Sequence, residues 1–66
     1  MKITVNGKDH PYAAGMTVAS LLADVLGVSG TVVVELNGEI IQRERYDDTP
    51  VNTGDMIEIV HFVGGG

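Results

Sequence analysis

The chain contains 66 residues with a mass of 7.0 kDa, which suits one domain with a small core and is too short for a multidomain enzyme. Nine Asp and Glu outnumber four Lys and Arg, so the formal net charge at pH 7 is -5. This negative charge argues against binding to nucleic-acid phosphates. The sequence has no cysteine, which excludes disulfides, thiolate metal ligands and a cysteine nucleophile within it.

A β-hairpin is predicted at the start of the chain. Its strands occupy residues 2–5 and roughly 9–13, on either side of Asn6-Gly7. Asn-Gly accepts positive φ at both central positions of a type I′ turn, which joins antiparallel strands tightly. Pro11 has no amide hydrogen, so the second strand is expected to lie at the edge of a sheet or to end there.

One helix of about nine or ten residues is predicted to begin at Val18. Thr17 suits the N-cap position because its hydroxyl accepts a hydrogen bond from a first-turn amide, and Met16 can pack on Leu21 as a hydrophobic staple. Gly27 is expected to end the helix in the left-handed conformation. The apolar residues with the spacing of one buried helical stripe are Val18, Leu21, Leu22, Val25 and Leu26.

A second hairpin and a final strand are predicted in the rest of the chain. Residues 31–36 are rich in β-branched side chains, and Asn37-Gly38 separates them from a strand at 39–42. Residues 43–55 are polar and rich in turn formers, so a loop with a short helical turn near Tyr46 is expected. Residues 56–63 are apolar enough to form a central strand.

The order of these elements, β-β-α-β-β-loop-β, predicts an α+β fold in which one helix covers a mixed sheet of about four or five strands. Pairing the last strand parallel to the first gives the β-grasp, or ubiquitin-like, arrangement. Residues 1–63 are interpreted as a single β-grasp domain and residues 64–66 as a flexible C-terminal glycine tail.

The candidate site is this tail, Gly64, Gly65 and Gly66. Glycine has no Cβ, so a glycine terminus can enter a narrow channel and approach a reacting phosphate closely. Three extended residues reach about 10 Å beyond the folded body. A carboxylate delivered in this way can attack the α-phosphate of ATP in a partner enzyme and form an acyl adenylate. A fraying tail and a linker remnant are the alternatives.

Several motifs occur in a characteristic order along the second half of the chain. They are Asn37-Gly38-Glu39-Ile40, then Arg43 and Tyr46, then Gly54-Asp55-Met56-Ile57-Glu58-Ile59-Val60, and finally Val63-Gly64-Gly65-Gly66. Together these motifs resemble the ThiS family, the sulfur carriers of bacterial thiamine biosynthesis. The resemblance extends over the whole chain, in length and in motif order, and its most specific parts are the Gly54-Asp55 turn before the last strand and the terminal glycines.

The resemblance implies a protein substrate rather than an enzyme. An adenylyltransferase related to ubiquitin activators would adenylate the Gly66 carboxylate with ATP, and a persulfide donor would convert it to a thiocarboxylate. Thiazole synthase would then take the sulfur for the thiazole ring, and the carboxylate would be regenerated. No bound cofactor is expected, because the adenylate and the thiocarboxylate are covalent intermediates at the terminus.

An outward apolar patch is expected where the tail leaves the fold. Four apolar residues, at positions 41, 60, 62 and 63, lie near the predicted exit of the tail. Strand residues alternate between two faces, so these four cannot all face the helix, and some should point outward. The functional interpretation is a surface, rimmed by acidic residues, that docks on a basic groove of the activating enzyme. A second core face is the structural alternative. The patch residues are Ile41, Val60, Phe62 and Val63.

Three other functions remain open from the sequence. The small sulfur-carrying subunit of molybdopterin synthase shares the fold and the Gly-Gly end but is usually longer. A ubiquitin-like modifier would use the same adenylate with an amine acceptor. A β-grasp binding module would have an inert tail.

No metal or acid-base site is expected. His10 and His61 are far apart and lack a third ligand at metal spacing. The acidic residues lie in or beside turns, where they serve solubility and turn formation. The start of the chain lacks the pattern of a signal peptide, and no apolar run approaches the length of a membrane span, so a cytoplasmic location is expected.

Overall fold

A computed structural model describes residues 1–25 and 31–62 of the chain. The elements follow the predicted order, with a short 3₁₀ turn, Arg43–Arg45, in the polar loop. They are β1 (Lys2–Val5), β2 (Lys8–Pro11), α1 (Val18–Val25), β3 (Thr31–Leu36), β4 (Glu39–Ile41) and β5 (Met56–Phe62).

Two Asn-Gly turns form the hairpins as predicted. Asn6 and Asn37 both have φ of 51°, and Gly7 and Gly38 have φ of 80° and 89°. Positive φ at both central positions is the signature of the type I′ turn, whose twist matches that of the strands it joins. The turns therefore fix β1 antiparallel to β2 and β3 antiparallel to β4.

The five strands form one mixed sheet in the order β2-β1-β5-β3-β4. The last strand of the sequence is central, where it pairs parallel with β1 and antiparallel with β3. Pro11 lies in β2 at the edge of the sheet, where its missing amide hydrogen costs no ladder hydrogen bond. With one helix on the sheet, this topology confirms the predicted β-grasp fold.

The start of α1 at Val18 is fixed by its cap and by the polar loop. Thr17 Oγ1 accepts a hydrogen bond from Ser20 N–H at 3.2 Å, which confirms the N-cap. The preceding two amides donate to the loop, Val18 N–H to Thr49 O and Ala19 N–H to Tyr46 O, both at 3.0 Å. The first-turn amides of the helix, which have no partner inside it, are thus satisfied by the cap and the loop.

The core lies between α1 and one face of the sheet. Val51 of the polar loop also belongs to the core and is 1% exposed. Its amide donates to Met16 O, and this hydrogen bond holds the loop against the helix start. The buried set therefore draws on the sheet, the helix and the loop. It consists of Ile3, Val5, Met16, Val18, Leu21, Val34, Val51, Ile57 and Ile59.

Some predictions fall outside the described residues. These are the final helix residue Leu26, the helix end at Gly27, the last residue of the predicted strand, Val63, and the tail 64–66. The division into a domain at 1–63 and a tail at 64–66 stays a prediction. Within the described part of the chain, no helix has the length and apolarity needed to cross a membrane.

Candidate functional site

β5 is the strand that leads toward the candidate terminus. Ile57 and Ile59 point to the helix side of the sheet and are buried. Met56 and Val60 are 58% and 50% exposed, because alternate residues of a strand point to opposite faces. The strand therefore has one face anchored in the core and one face open to solvent.

The strand registers define the outer face, meaning the side of the sheet turned away from α1. Val60 pairs with Val33, and Glu58 pairs with Glu35. Glu35 in turn pairs with Ile40 of β4, which is 64% exposed. Directly paired residues share a face of the sheet. The central outer face consists of Thr4, Val33, Glu35, Ile40, Met56, Glu58 and Val60.

The predicted patch residues do not all meet on this face. Val60 lies on it, whereas Ile41 pairs with buried Val34 and therefore lies on the helix side. Phe62 is described only through its backbone, which pairs with Thr31, and Val63 lies outside the described residues. The structure thus separates Ile41 from Val60.

Ile40 is the apolar residue of β4 that accompanies Val60 on the outer face. It was not among the residues predicted for the patch. A signal was present, because a two-residue turn at 37–38 places Glu35 opposite position 40 and Val34 opposite position 41. Alternation in β3 then indicates which of the two isoleucines faces the core.

Two asparagine side chains hold β5 from either side. Asn37 Oδ1 accepts from Met56 N–H at 2.9 Å, and its Nδ2 donates to Asp55 Oδ1 at 3.1 Å. Asn6 Oδ1 accepts from Ile59 N–H at 2.6 Å, and its Nδ2 donates to Ile59 O at 3.2 Å. Each hairpin turn therefore also fixes a point on the central strand.

The charges on the sheet are mainly solvated. Lys2 Nζ and Asp9 Oδ2 form an ion pair at 2.9 Å, with both side chains about two-thirds exposed, which limits its contribution to stability. Glu35 and Glu58 face each other across β3 and β5 on the outer face. Like charges placed directly opposite are unfavourable. This pair gives the outer face a negative centre beside Ile40 and Val60.

The histidines lie on different strands. His10 is on β2 opposite Ile3, and His61 is on β5 opposite Val32. His10 Nδ1 lies 2.8 Å from Pro11 O. Among residues 1–25 and 31–62, no group of three or more His, Asp or Glu side chains is arranged to hold a metal ion. Gly66, the predicted sulfur-carrying terminus, and the predicted threading residues Gly64 and Gly65 lie outside the described residues and stay a prediction.

Comparison with known proteins identifies the family. The ThiS family model matches residues 3–66. The sulfur carrier protein ThiS of Bacillus subtilis strain 168 is 45% identical over 65 residues, which cover 97% of this chain and 98% of that protein. A crystal structure of the thiamine biosynthesis protein ThiS from Geobacter metallireducens superposes with a TM-score of 0.78 at 43% identity, covering 100% of both chains.

A longer relative is also similar. A thiazole synthase of Paramagnetospirillum magneticum is 44% identical over 66 residues, which is 100% of this chain and 20% of that protein. The chain therefore spans about one-fifth of the length of this relative. The family model matches nearly the whole chain, and the Bacillus subtilis protein of the same size is similar from end to end. Both findings indicate the same family. This chain belongs to the ThiS family, the family of the sulfur carrier protein ThiS.

Proposed function

We propose that this chain carries sulfur in thiamine biosynthesis, as a thiocarboxylate on Gly66 that it donates to thiazole synthase. The observation that carries the proposal is ThiS family membership combined with Gly64-Gly65-Gly66 close behind the central strand β5. The chain acts as a co-substrate of its partners and not as an enzyme. The residues of β5 that precede the glycines in sequence include Ile57 and Ile59, which are buried in the core.

The first step is activation of the terminus. A carboxylate oxygen of Gly66 attacks the α-phosphorus of ATP. The bond between that phosphorus and the oxygen that bridges it to the β-phosphorus breaks. Pyrophosphate leaves, and the acyl adenylate remains. An adenylyltransferase supplies the ATP site and the electrostatic stabilisation of the phosphate oxygens, while this chain supplies the nucleophile. The cytoplasm is the proposed location, because the step consumes ATP.

The second step is loading with sulfur. The terminal sulfur of a donor persulfide attacks the acyl carbon, and AMP leaves with the bonding electrons. A thiol then reduces the resulting sulfur–sulfur bond, which releases the thiocarboxylate and oxidises the thiol to a disulfide. The chain itself has no cysteine, so no internal thiol competes for the acyl adenylate.

The outer face is the proposed docking surface for the activating enzyme. It combines exposed Ile40 and Val60 with the facing carboxylates of Glu35 and Glu58. A partner surface with an apolar centre and nearby cationic side chains complements it, and the net charge of -5 favours such a partner at long range. Phe62, the last residue of β5, and Val63, which lies outside the described residues, stay predicted members of this surface.

Thiazole synthase is the proposed acceptor of the sulfur. A relative with that name contains a region similar to this entire chain, which supports a functional association of the two. Two alternatives, a sulfur-carrying subunit of molybdopterin synthase and a ubiquitin-like modifier, would form the same acyl adenylate. They differ from a thiazole sulfur carrier only in the steps that follow it. The similarity to thiamine biosynthesis proteins favours the thiazole pathway over both.

Intact-protein mass spectrometry tests the proposal. The chain is incubated with ATP, the adenylyltransferase and a persulfide donor, beside a variant that lacks Gly65 and Gly66. We expect the full chain to gain the mass difference between sulfur and oxygen, with the change mapped to Gly66. The truncated variant keeps the core residues and should remain unmodified.

Two results would contradict the proposal. One is a full chain that gains neither an adenylate nor sulfur with an adenylyltransferase that is active on a known carrier. The other is sulfur loading of the truncated variant. Conjugates to lysine side chains in cells would instead favour the modifier.

A further inference from the structure

The backbone pairing between β1 and β5 ends before β5 does. The parallel register covers Thr4 with Met56 and Val5 with Ile57, and Asn6 N–H then donates to Ile57 O at 2.9 Å. At this point the chain enters the Asn6-Gly7 turn and leaves the sheet. The β1 side of β5 therefore has no further backbone partner from this hairpin beyond Ile57 within the described residues.

Where the backbone pairing of β1 with β5 ends, the Asn6 side chain forms the next hydrogen bonds to β5. Its amide bonds both the N–H and the C=O of Ile59, a residue 53 positions away, and both contacts are partly buried. In a parallel sheet, the neighbouring backbone would supply this donor and acceptor. The side chain thus extends the β1–β5 ladder by one residue.

Beyond Ile59, the described part of β5 is paired on one side only. Val60, His61 and Phe62 pair with Val33, Val32 and Thr31 of β3. Ile59 is therefore the last residue of β5 with partners on both sides. A strand that is held on one side frays more easily than one held on both. The contact at Ile59 limits how far fraying reaches back into the core strand.

Position 6 makes two demands that asparagine satisfies together. The turn requires φ of 51°, which glycine, asparagine and aspartate tolerate better than other residues. The contact to Ile59 requires one donor and one acceptor on a short side chain. Glycine meets only the first demand, and aspartate lacks the donor.

We infer that Asn6 is a positioning residue for the reactive terminus, because its side chain holds Ile59, the last described residue of β5 with partners on both sides, ahead of the residues that lead to Gly66. This inference rests on the proposed function of Gly66. Asn6 lies at the other end of the sequence from Gly66 and takes no part in the chemistry itself. Without the amide, residues 59–62 sample more directions, and the activating enzyme must order them when it binds. The expected cost therefore appears in KM more than in kcat.

The chain contains a matched control for this test. Asn37 has the same φ, precedes a glycine in the same type of turn and also binds β5 through its side chain, but at Met56 and Asp55 near the start of the strand. Asn6→Gly and Asn37→Gly both keep the turn and each remove two side-chain hydrogen bonds, at Ile59 in the first variant and at Met56 and Asp55 in the second. Asn6→Asp keeps the acceptor for Ile59 N–H and replaces the donor to Ile59 O with a second carboxylate oxygen.

Amide hydrogen exchange provides the first measurement. In Asn6→Gly, we expect faster exchange at Ile59, Val60 and Phe62, by on the order of tenfold or more relative to the core amides. In Asn37→Gly, these amides should keep their wild-type rates while Met56 exchanges faster. Asn6→Asp should protect Ile59 N–H better than Asn6→Gly does. Urea denaturation of each variant separates this local effect from a loss of global stability.

Adenylation kinetics provide the second measurement. Asn6→Gly should raise KM for the adenylyltransferase by about tenfold with little change in kcat, and Asn37→Gly should leave both near wild type. Equal exchange at residues 59–62 in the two glycine variants, or equal kinetic effects, would overturn the inference. If the wild-type chain is not adenylated at all, the proposed function fails, and exchange alone decides whether Asn6 fixes the end of β5.

Discussion

Individual residues at the start of α1 show how a small fold satisfies its polar groups. Thr17 and Ser20 form reciprocal contacts, since Ser20 N–H donates to Thr17 Oγ1 and Thr17 N–H donates to Ser20 Oγ. Without this cap, Ser20 N–H would lose its side-chain acceptor at the helix start. The cap also sets the residue at which the helix begins, close to the loop that supplies Val51 to the core.

Thr17→Ala should therefore lower the free energy of unfolding by about 1 kcal/mol, as loss of a helix N-cap typically does. Urea denaturation followed by circular dichroism measures the change. Thr53→Ala is the control, because its exposed hydroxyl makes only a long contact of 3.4 Å to Lys2 O. Equal effects of the two substitutions would show that the Thr17 cap contributes nothing specific.

The pair Glu35 and Glu58 leads to a prediction of opposite sign. These carboxylates face each other across adjacent strands, and Glu58→Gln removes their repulsion with little change of shape. We expect a stability gain of about 0.2–1 kcal/mol that shrinks as salt screens the charges. Glu39→Gln, opposite Leu36, controls for the reduction in net charge. A Glu58→Gln variant no more stable than this control would contradict the prediction.

At the scale of the element, β4 presents two adjacent isoleucines to different environments. Ile40 lies on the outer face and is 64% exposed, whereas Ile41 lies on the helix side opposite buried Val34. A three-residue strand thus contributes one side chain to the packed side and one to the proposed docking surface. Because both residues are isoleucine, the same substitution at each position can separate the effect on docking from the effect on stability.

Ile40→Thr should weaken binding to the activating enzyme by several-fold and change stability by only about 0.5 kcal/mol or less. Ile41→Thr should do the reverse, with a measurable loss of stability and near wild-type affinity once the protein is folded. Isothermal titration calorimetry and urea denaturation together give the comparison. The docking proposal fails if Ile40→Thr binds as tightly as wild type.

At the scale of the whole molecule, the strand that supplies much of the core also precedes the proposed reactive terminus in sequence. β5 occupies the centre of the sheet and supplies Ile57 and Ile59 to the core, and the candidate terminus follows it in sequence. A domain of this size is stabilised by only about 3–10 kcal/mol, and this one has no disulfide to add to packing. The described residues that lead to the candidate terminus thus belong to the strand at the centre of the sheet.

Ile57→Ala should lower the free energy of unfolding by about 2–5 kcal/mol, because Ile57 is fully buried and its truncation leaves a cavity. Val60→Thr, on the same strand but 50% exposed, should change it by about 0.5 kcal/mol or less. Chemical denaturation measures both. Similar losses for the two variants would contradict the assignment of the core to one face of β5.

Much of the fold was predictable because its signals are local. The Asn-Gly pairs specify turns that accept positive φ, and Thr17 specifies the helix start. Of the apolar stripe predicted after it, Val18 and Leu21 are buried and Leu22 is partly buried. The polar loop was predicted with a helical turn near Tyr46, and the 3₁₀ turn Arg43–Arg45 confirms it. The motifs of the second half and the terminal glycines also indicated the family correctly.

The candidate surface was predicted less well, because it depends on register. Ile41 and Val60 are both apolar and were assigned to one patch, but pairing with Val34 and Val33 sends them to opposite faces. The contact from Asn6 to Ile59 joins residues 53 positions apart and has no sequence signature beyond the turn itself. Such long-range partners are set by how the whole sheet assembles.

The sequence by itself determined the turns, the helix start, the order of the elements and, through its motifs, membership of the ThiS family. Only the tertiary structure decided which isoleucine of β4 faces outward, how the polar loop satisfies the helix start and how Asn6 binds Ile59 in β5. The physical reason is the range of the interactions. Turn and cap preferences arise within a few residues, whereas strand register and side-chain contacts to distant backbone exist only after the sheet has formed.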